Sequence, residues 1–448
     1  MTAVEALFGA GVVCVFAALS TFVYLVTTST GWIFFVLVTK PLVDLTWKWE
    51  FFHIINQRVN PQAIVAIIVA VLNGIVLVSN RRHPRHSRRV LLLLGFATLA
   101  MIVTPTSWGT NELLRLFSGV SFFFSAGLVL GEKSTFDRFA VIFLAVLCLP
   151  LILSLFQVAG ILPFEYWDWI DGQETGRASG TYQHPLEIVF FLVYAIPLAL
   201  YRWENSEKGK PERAFLAGFF VLASLGLVFT FHRAGWIAII VELGVWYGSK
   251  KQLKKILLGA LAVMVLTVAF RERVSLLYEP AAEIFTGEAN FTSGNFMRGR
   301  GANWIAFLVS YANGGPVRWL IGKGGSVAEV SLGGIAEYSE NEPHNDFIRI
   351  LHAYGLVGLV LYLSLLLKFL QAGLRSRNSV SPFLRGLGRI LLCSLAGILL
   401  LSMTAEPMRY PTSIWYLFAL ASAFFVIEAN TQTGLRANYA RRLRPEES

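Results

Sequence analysis

Charge is what this chain lacks. Asp, Glu, Lys and Arg make up 15% of its 448 residues, against about 25% in a soluble domain. That shortage excludes an ordinary soluble enzyme, and a 55% hydrophobic content points to a polytopic membrane protein. Cysteine is scarce too. Cys14, Cys148 and Cys393 all stand inside apolar runs, which excludes a zinc site by spacing and argues against a disulfide framework. The first apolar run, about Glu5 to Thr27, has no basic leader and no small-residue cleavage site, so it reads as a retained helix. Gly322-Lys-Gly-Gly325 falls short of a phosphate loop and has no strand before it, so it reads as a turn. No carboxylate cluster clearly offers a divalent-metal site; Glu340 and Glu342 are the nearest candidates and Asp44 a remote one. No cofactor motif is present.

What the chain has in abundance is apolar runs of about 17–25 residues, each long enough to cross a hydrocarbon core. Such spans must be helical, because backbone groups in lipid find no water to bond. Helices are expected near 62–79, 90–106, 112–131, 138–160, 185–202, 214–230, 233–248, 256–270, 352–373, 387–403 and 412–430, with one or two more in the first 46 residues. The fold class is therefore an all-α polytopic membrane protein with about 12 or 13 transmembrane helices. The net charge of +10 does not imply nucleic acid. Four basic clusters carry much of it: Arg81 to Arg89, Lys250 to Lys255, Arg375 to Arg389 and Arg436 to Arg444. Each borders an apolar run, as cytoplasmic loops do.

That orientation leaves 47–61, 104–111, 161–184, 231–235, 271–350 and 404–411 on the far side. Trp47-Lys-Trp-Glu-Phe-Phe reads as an interfacial anchor. Segment 161–184 is aromatic and acidic, and ends in Arg177 and Gly-Thr-Tyr182-Gln-His184-Pro185. Segment 271–350 is about 80 residues long, and loops of that length are uncommon without a function. A short helix is expected within it around Asn303 to Tyr311. The chain divides into helices with a far-side loop over 1–270, the large loop over 271–350, and C-terminal helices with a basic tail over 351–448.

Three far-side elements carry cations: Phe231-His232-Arg233-Ala-Gly235, Arg298-Gly-Arg300-Gly-Ala-Asn-Trp304, and His344-Asn345. If the second becomes helical, Arg300 and Trp304 share a face at i,i+4. Guanidinium groups hold phosphate oxygens bidentately, and a histidine can take a proton from a hydroxyl. The set suits attack by a hydroxyl on a phosphate-activated donor, with arginines neutralising a diphosphate leaving group. Structural roles compete at each position. Arg233 can snorkel, Arg298 and Arg300 can be solvated charges, and His344 can belong to a helix start that Asn345 caps. His184 before Pro185 can be a turn residue or part of an acceptor site.

Together, Arg233-Ala-Gly-Trp, Thr292-Ser-Gly, Arg300-xxx-Trp304, Gly322-x-Gly324, His344-Asn345 and Tyr354-Gly355-x-x-Gly358 resemble the O-antigen ligase and polymerase superfamily over about residues 175–370. The family's Ser-Arg-Gly reads His232-Arg233-Ala here. The large loop offers both Arg298 and Arg300, which leaves the second donor arginine open. The resemblance implies a metal-independent, inverting, GT-C-type glycosyltransferase of the bacterial inner membrane, with the large loop and the active site on the periplasmic side. It implies a glycan donor on undecaprenyl diphosphate. The acceptor is lipid A–core for a ligase, in lipopolysaccharide biosynthesis, or a second lipid-linked glycan for a polymerase of O-antigen or exopolysaccharide. On that reading His344 activates the acceptor hydroxyl, and Arg233 with Arg300 or Arg298 binds the diphosphate. Arg177, Tyr182, His184 and Asn345 are then expected to bind acceptor or glycan. A lipid-linked glycan flippase is the competing class. It calls for mid-helix charges, whereas Glu187 and Glu242, the main charges within spans, are expected near helix ends.

Overall fold

The computed structural model describes residues 29–46, 48, 52–54, 57–59, 61–79, 84, 86–105, 109–170, 173–252, 286, 300–324 and 342–442. Its helices are α1 (Ser29–Asp44), α2 (Pro61–Ser79), α3 (Ser87–Val103), α4 (Gly109–Leu130), α5 (Lys133–Val158), α6 (Pro185–Asn205), α7 (Pro211–Phe229) and α8 (Arg233–Gly248). After these come α9 (Arg300–Ala312), α10 (Gly315–Ile321), α11 (Asp346–Ser376), α12 (Pro382–Ser402) and α13 (Pro411–Arg442). Among the described residues, seven helices are long and apolar enough to cross a membrane: α4 from Glu112, α5, α6, α7, α11, α12, and α13 over Pro411–Thr433. The expected helices at 256–270 and before residue 28, Thr292-Ser-Gly and Arg298 lie outside the described residues.

Lipid-facing surfaces are legible in the exposure pattern. Ile67, Val71, Ile75 and Val78 on α2, and Val360, Leu363 and Leu367 on α11, are all exposed. Inward faces use small residues to bring helices together, as membrane helices do. A side chain at Gly119 would strike Ile414, and one at Gly127 would strike Ser422 and Val426. Helix α13 therefore packs closely on α4, and Ser422 Oγ accepts the Gly127 N–H at 2.9 Å.

Neighbouring groups mend two irregularities in the helices. Pro41 in α1 has no N–H for the Leu37 carbonyl. The Tyr416 hydroxyl donates to that carbonyl at 2.6 Å. In α11 the backbone leaves helical geometry at Gly355, with φ 64° and ψ −170°. The carbonyls of His352 and Ala353 accept the N–H groups of Lys323 and Gly324 at 3.0 and 2.9 Å. Gly322-Lys-Gly is thus a turn, as expected, and its work is to mend this kink. Gly322 lies against the backbone of Ala353 and Gly355, and Gly355 against that of Leu320 and Ile321. Beyond the kink, Leu356 to Ser376 is about 20 helical residues, roughly one bilayer core. The stretch before it, Asp346 to Tyr354, stands at the far-side end.

Two features differ from expectation. The spanning part is all helical, but the far side also carries two antiparallel hairpins, β1 (Phe52–Ile54) with β2 (Gln57–Val59) and β3 (Tyr166–Ile170) with β4 (Gln173–Arg177). Aromatic residues that read as an interfacial anchor and a loop are also good strand formers. Glu242, expected near a helix end, sits mid-way along α8 and is fully buried.

Candidate active site

Cationic side chains from five parts of the chain gather at one end of the bundle. The β3–β4 hairpin supplies Arg177. Its register sets Tyr166 opposite Arg177, and the guanidinium lies 5.4 Å from the Tyr166 ring centre. Arg177 Nε donates to the Thr230 carbonyl at 2.8 Å, and the next amide, Ala178, donates to Phe229 at 3.1 Å. These bonds tie the hairpin to the end of α7. Gln157 Oε1 accepts the N–H groups of Ser179 and Gly180 at 3.0 and 2.9 Å. Gly180, at φ 59°, lies against the Pro150 carbonyl, where no Cβ would fit.

Two helix starts then stand side by side. His184 precedes α6, and its Nδ1 accepts the Leu186 N–H at 3.0 Å. His232 precedes α8, and its Nδ1 accepts the Gly235 N–H at 3.1 Å. A Cβ at Gly235 would come within 2.7 Å of Val189 on α6. Glycine there lets the first turns of α6 and α8 touch, which brings the two histidines together with Arg233.

Helix α9 supplies Arg300 and positions His344. Arg300 opens the helix, and Trp304, one turn on, donates through Nε1 to the Pro343 carbonyl at 2.7 Å. Asn303 Nδ2 reaches the Glu342 carbonyl at 3.3 Å. Asn345 caps α11, its Oδ1 accepting from Phe347 and Ile348 at 3.0 and 3.1 Å. From the other side, Glu406 Oε1 accepts the His344 N–H at 3.0 Å. Its Oε2 meets the buried Arg349 at 2.7 Å, and Arg349 also holds Glu112 at 2.5 Å. Arg409 pairs with Glu342.

The electrostatics report how tightly the set is drawn. Burial lowers the His184 imidazole to about 3, and Arg177, His344, Arg409 and Arg300 push the same way. Burial also holds His232 well below the ordinary histidine range, helped by Arg177, His184, Arg300 and Arg233. Both rings therefore sit in a positive field that disfavours another cation and favours an anion. Three non-glycine residues here have left-handed backbone: Thr181 at φ 70°, Phe231 at φ 50° and His344 at φ 48°. Such strain persists where surrounding contacts over-determine it, and it clusters at functional sites.

Of the residues singled out from sequence, Arg177, His184, Arg233, Arg300 and His344 fall in this one cluster. Tyr182 does not: it is fully buried, and its hydroxyl donates to the Pro41 carbonyl at 3.0 Å. Asn345 uses its amide on the fold, capping α11 and donating to the Met403 carbonyl at 3.2 Å. Asp44 is taken by Lys40 and Thr412, and Glu342 by Arg409. His232 was named only within the element that carries Arg233, and Arg409 and the Glu112–Arg349–Glu406 group were not anticipated as parts of the site. A usable signal existed for the last: Glu112, Arg349 and Glu406 all fall at far-side helix ends, where charges leaving water need one another. Among the described residues, no group of three or more His, Cys, Asp or Glu gathers as a metal-binding set. A family model described as O-antigen ligase matches residues 218–363, which include His232, Arg233, Arg300 and His344. No curated protein matches the chain.

Proposed function

We propose, from the match of residues 218–363 to a family model described as O-antigen ligase, that the chain is an O-antigen ligase acting at the periplasmic face of the bacterial inner membrane. It transfers a glycan from undecaprenyl diphosphate to a hydroxyl of lipid A–core. Arg300 and Arg233, backed by Arg177, hold the diphosphate oxygens in bidentate fashion. His344 takes the proton of the acceptor hydroxyl as that oxygen attacks the anomeric carbon. The new glycosidic C–O bond forms on the face opposite the breaking C–O bond, so the configuration inverts. The bond electrons leave with the diphosphate, whose charge the guanidinium groups neutralise. These cations supply the stabilisation that a divalent ion would otherwise give, and on this reading the enzyme is metal-independent and of GT-C type.

The observation that carries the reading is the convergence of Arg177, Arg233, Arg300 and Arg409 with His344 around the buried His232 and the half-buried His184. A polymerase, with a lipid-linked glycan as acceptor, is the second reading. What favours it is the β3–β4 hairpin, whose Trp167 is 51% exposed with Phe164 beside it, a surface on which sugar rings can stack. The deciding experiment is transfer in vitro from a defined undecaprenyl-diphosphate glycan, with lipid A–core and a lipid-linked repeat competing as acceptors and EDTA present. Product on lipid A–core alone supports the ligase. Product only on the lipid-linked repeat overturns it in favour of the polymerase, and loss of all transfer with EDTA overturns metal independence.

A further inference from the structure

Histidine is an unusual helix cap. Ser, Thr, Asp and Asn do that work best, and Asn345 does it at the start of α11. Yet α6 and α8 begin with His184 and His232, each giving its Nδ1 lone pair to an amide of its own first turn. For capping alone, histidine offers nothing that asparagine lacks. What it adds is a second ring nitrogen on the opposite edge, directed away from the helix it caps.

The cap also fixes the protonation of the ring. A lone pair engaged by an N–H cannot accept a proton without breaking the cap. A neutral imidazole with Nδ1 as acceptor must carry its hydrogen on Nε2. The charged groups around the two rings favour that neutral form. Arg177 comes from the hairpin, Arg233 from α8, Arg300 from α9, His344 from the segment before α11, and Arg409 from the connector before α13.

We propose that His184 and His232 are neutral Nε2–H donors to the oxygens of the bound diphosphate, each locked in that tautomer by the helix it caps. This rests on reading the cluster as a diphosphate site. It divides the three clustered histidines by role: two bind, and proton transfer falls to His344. A neutral donor has a use here. It adds a hydrogen bond to the anion without adding another cation to arginines already crowded together.

The substitution that separates the two duties is His→Asn, which keeps a capping oxygen and removes the distal N–H. Purified protein in nanodiscs is titrated with farnesyl diphosphate, and its melting temperature is recorded. His184→Asn and His232→Asn should each weaken binding about tenfold or more, the worth of a hydrogen bond to a charged group, while melting near wild type. The His→Ala variants should lose both binding and stability. Independently, nitrogen NMR of 15N-histidine protein without ligand should show two Nε2–H imidazoles that do not titrate between about pH 5 and 8. Asn variants that bind as tightly as wild type would overturn the donor role. Signals from these two residues that titrate in that range, or that show the Nδ1–H tautomer, would overturn the lock. If wild type itself does not bind the diphosphate, the diphosphate reading of the cluster falls and the donor role with it, while the NMR result still decides the tautomer.

Discussion

Replacing Glu406 separates two tasks that one carboxylate performs. Its Oε2 balances Arg349 at 2.7 Å, and its Oε1 accepts the backbone N–H of His344 at 3.0 Å. Both charged residues are out of water, Glu406 at 3% and Arg349 at 7% exposed. Glu406→Gln removes the charge and leaves one acceptor oxygen, which can serve the His344 N–H while the amide NH2 faces Arg349. Arg349 still holds Glu112, so the cost should be about 1–3 kcal/mol, the loss of one hydrogen bond to a charged group. Glu406→Ala removes both tasks. Loss of one partner from a buried pair costs about 3–5 kcal/mol, and an orphaned N–H at His344 adds about 1–3 kcal/mol. The alanine variant also frees a residue held at φ 48° to relax out of place. Thermal unfolding in nanodiscs should rank wild type above Gln and Gln above Ala, with transfer falling in the same order. The double variant Arg349→Met, Glu406→Leu supplies the cross-check. Glu112 keeps Arg115 at 3.3 Å, so stability should recover toward wild type as the buried charges leave together. Transfer should stay slow, because His344 still lacks its acceptor. A Glu406→Ala protein as stable as wild type, or a double variant whose losses simply add, would refute the reasoning.

Four more outcomes are expected. His184 is depressed to about 3, so as pH falls from 6.5 the unfolded chain takes a proton that the folded chain refuses. Stability should then fall on acidification by up to about 1.4 kcal/mol per pH unit, and melting curves between pH 7 and 5 should be flatter in His184→Asn. Gly235→Leu puts a side chain where even a Cβ lies 2.7 Å from Val189; transfer should drop sharply while membrane insertion, read by fractionation, persists. His344→Gly relieves the left-handed strain and should be about 1 kcal/mol more stable than His344→Ala, melting correspondingly higher, with both inactive in transfer. Neither Glu242 carboxyl oxygen meets a hydrogen-bond partner among the described residues, so Glu242→Leu should raise the melting temperature.

The helices among the described residues were legible because lipid leaves hydropathy little freedom: seven of them are long and apolar enough to cross a membrane, and the bounds of the shorter α8 agree to the residue with the apolar run at 233–248. The Arg300–Trp304 spacing was legible for a related reason. A one-turn offset fixes a shared face, and Trp304 uses that face to grip Pro343 beside His344. What escaped was whatever depends on two distant segments approaching. Glu406 reaches His344 and Arg349 across more than fifty residues, and nothing local in Glu-Pro-Met-Arg announces it. The hairpin escaped because Tyr166 and Trp167 suit a strand, a loop and a membrane anchor about equally well. Tyr182 misled for the opposite reason. A tyrosine in a far-side polar segment reads as a sugar ligand, yet α1 ends at Asp44 and leaves the Pro41 carbonyl for a buried hydroxyl to satisfy.

The strained residues explain why the site sits where it does. Phe231 stands immediately before the cap His232, and His344 immediately before the cap Asn345. In each case a left-handed residue reverses the chain, and a cap launches the next helix back into the bundle. Helices α6, α8 and α11 thus present their positive ends to one place, where each adds roughly half a unit charge of potential. Glycine would make either reversal more cheaply. A histidine kept at the costlier position before α11 implies that its side chain is worth more than the strain it brings. The same comparison separates His344 from its neighbour: Asn345 can be explained by the helix it starts, and His344 cannot.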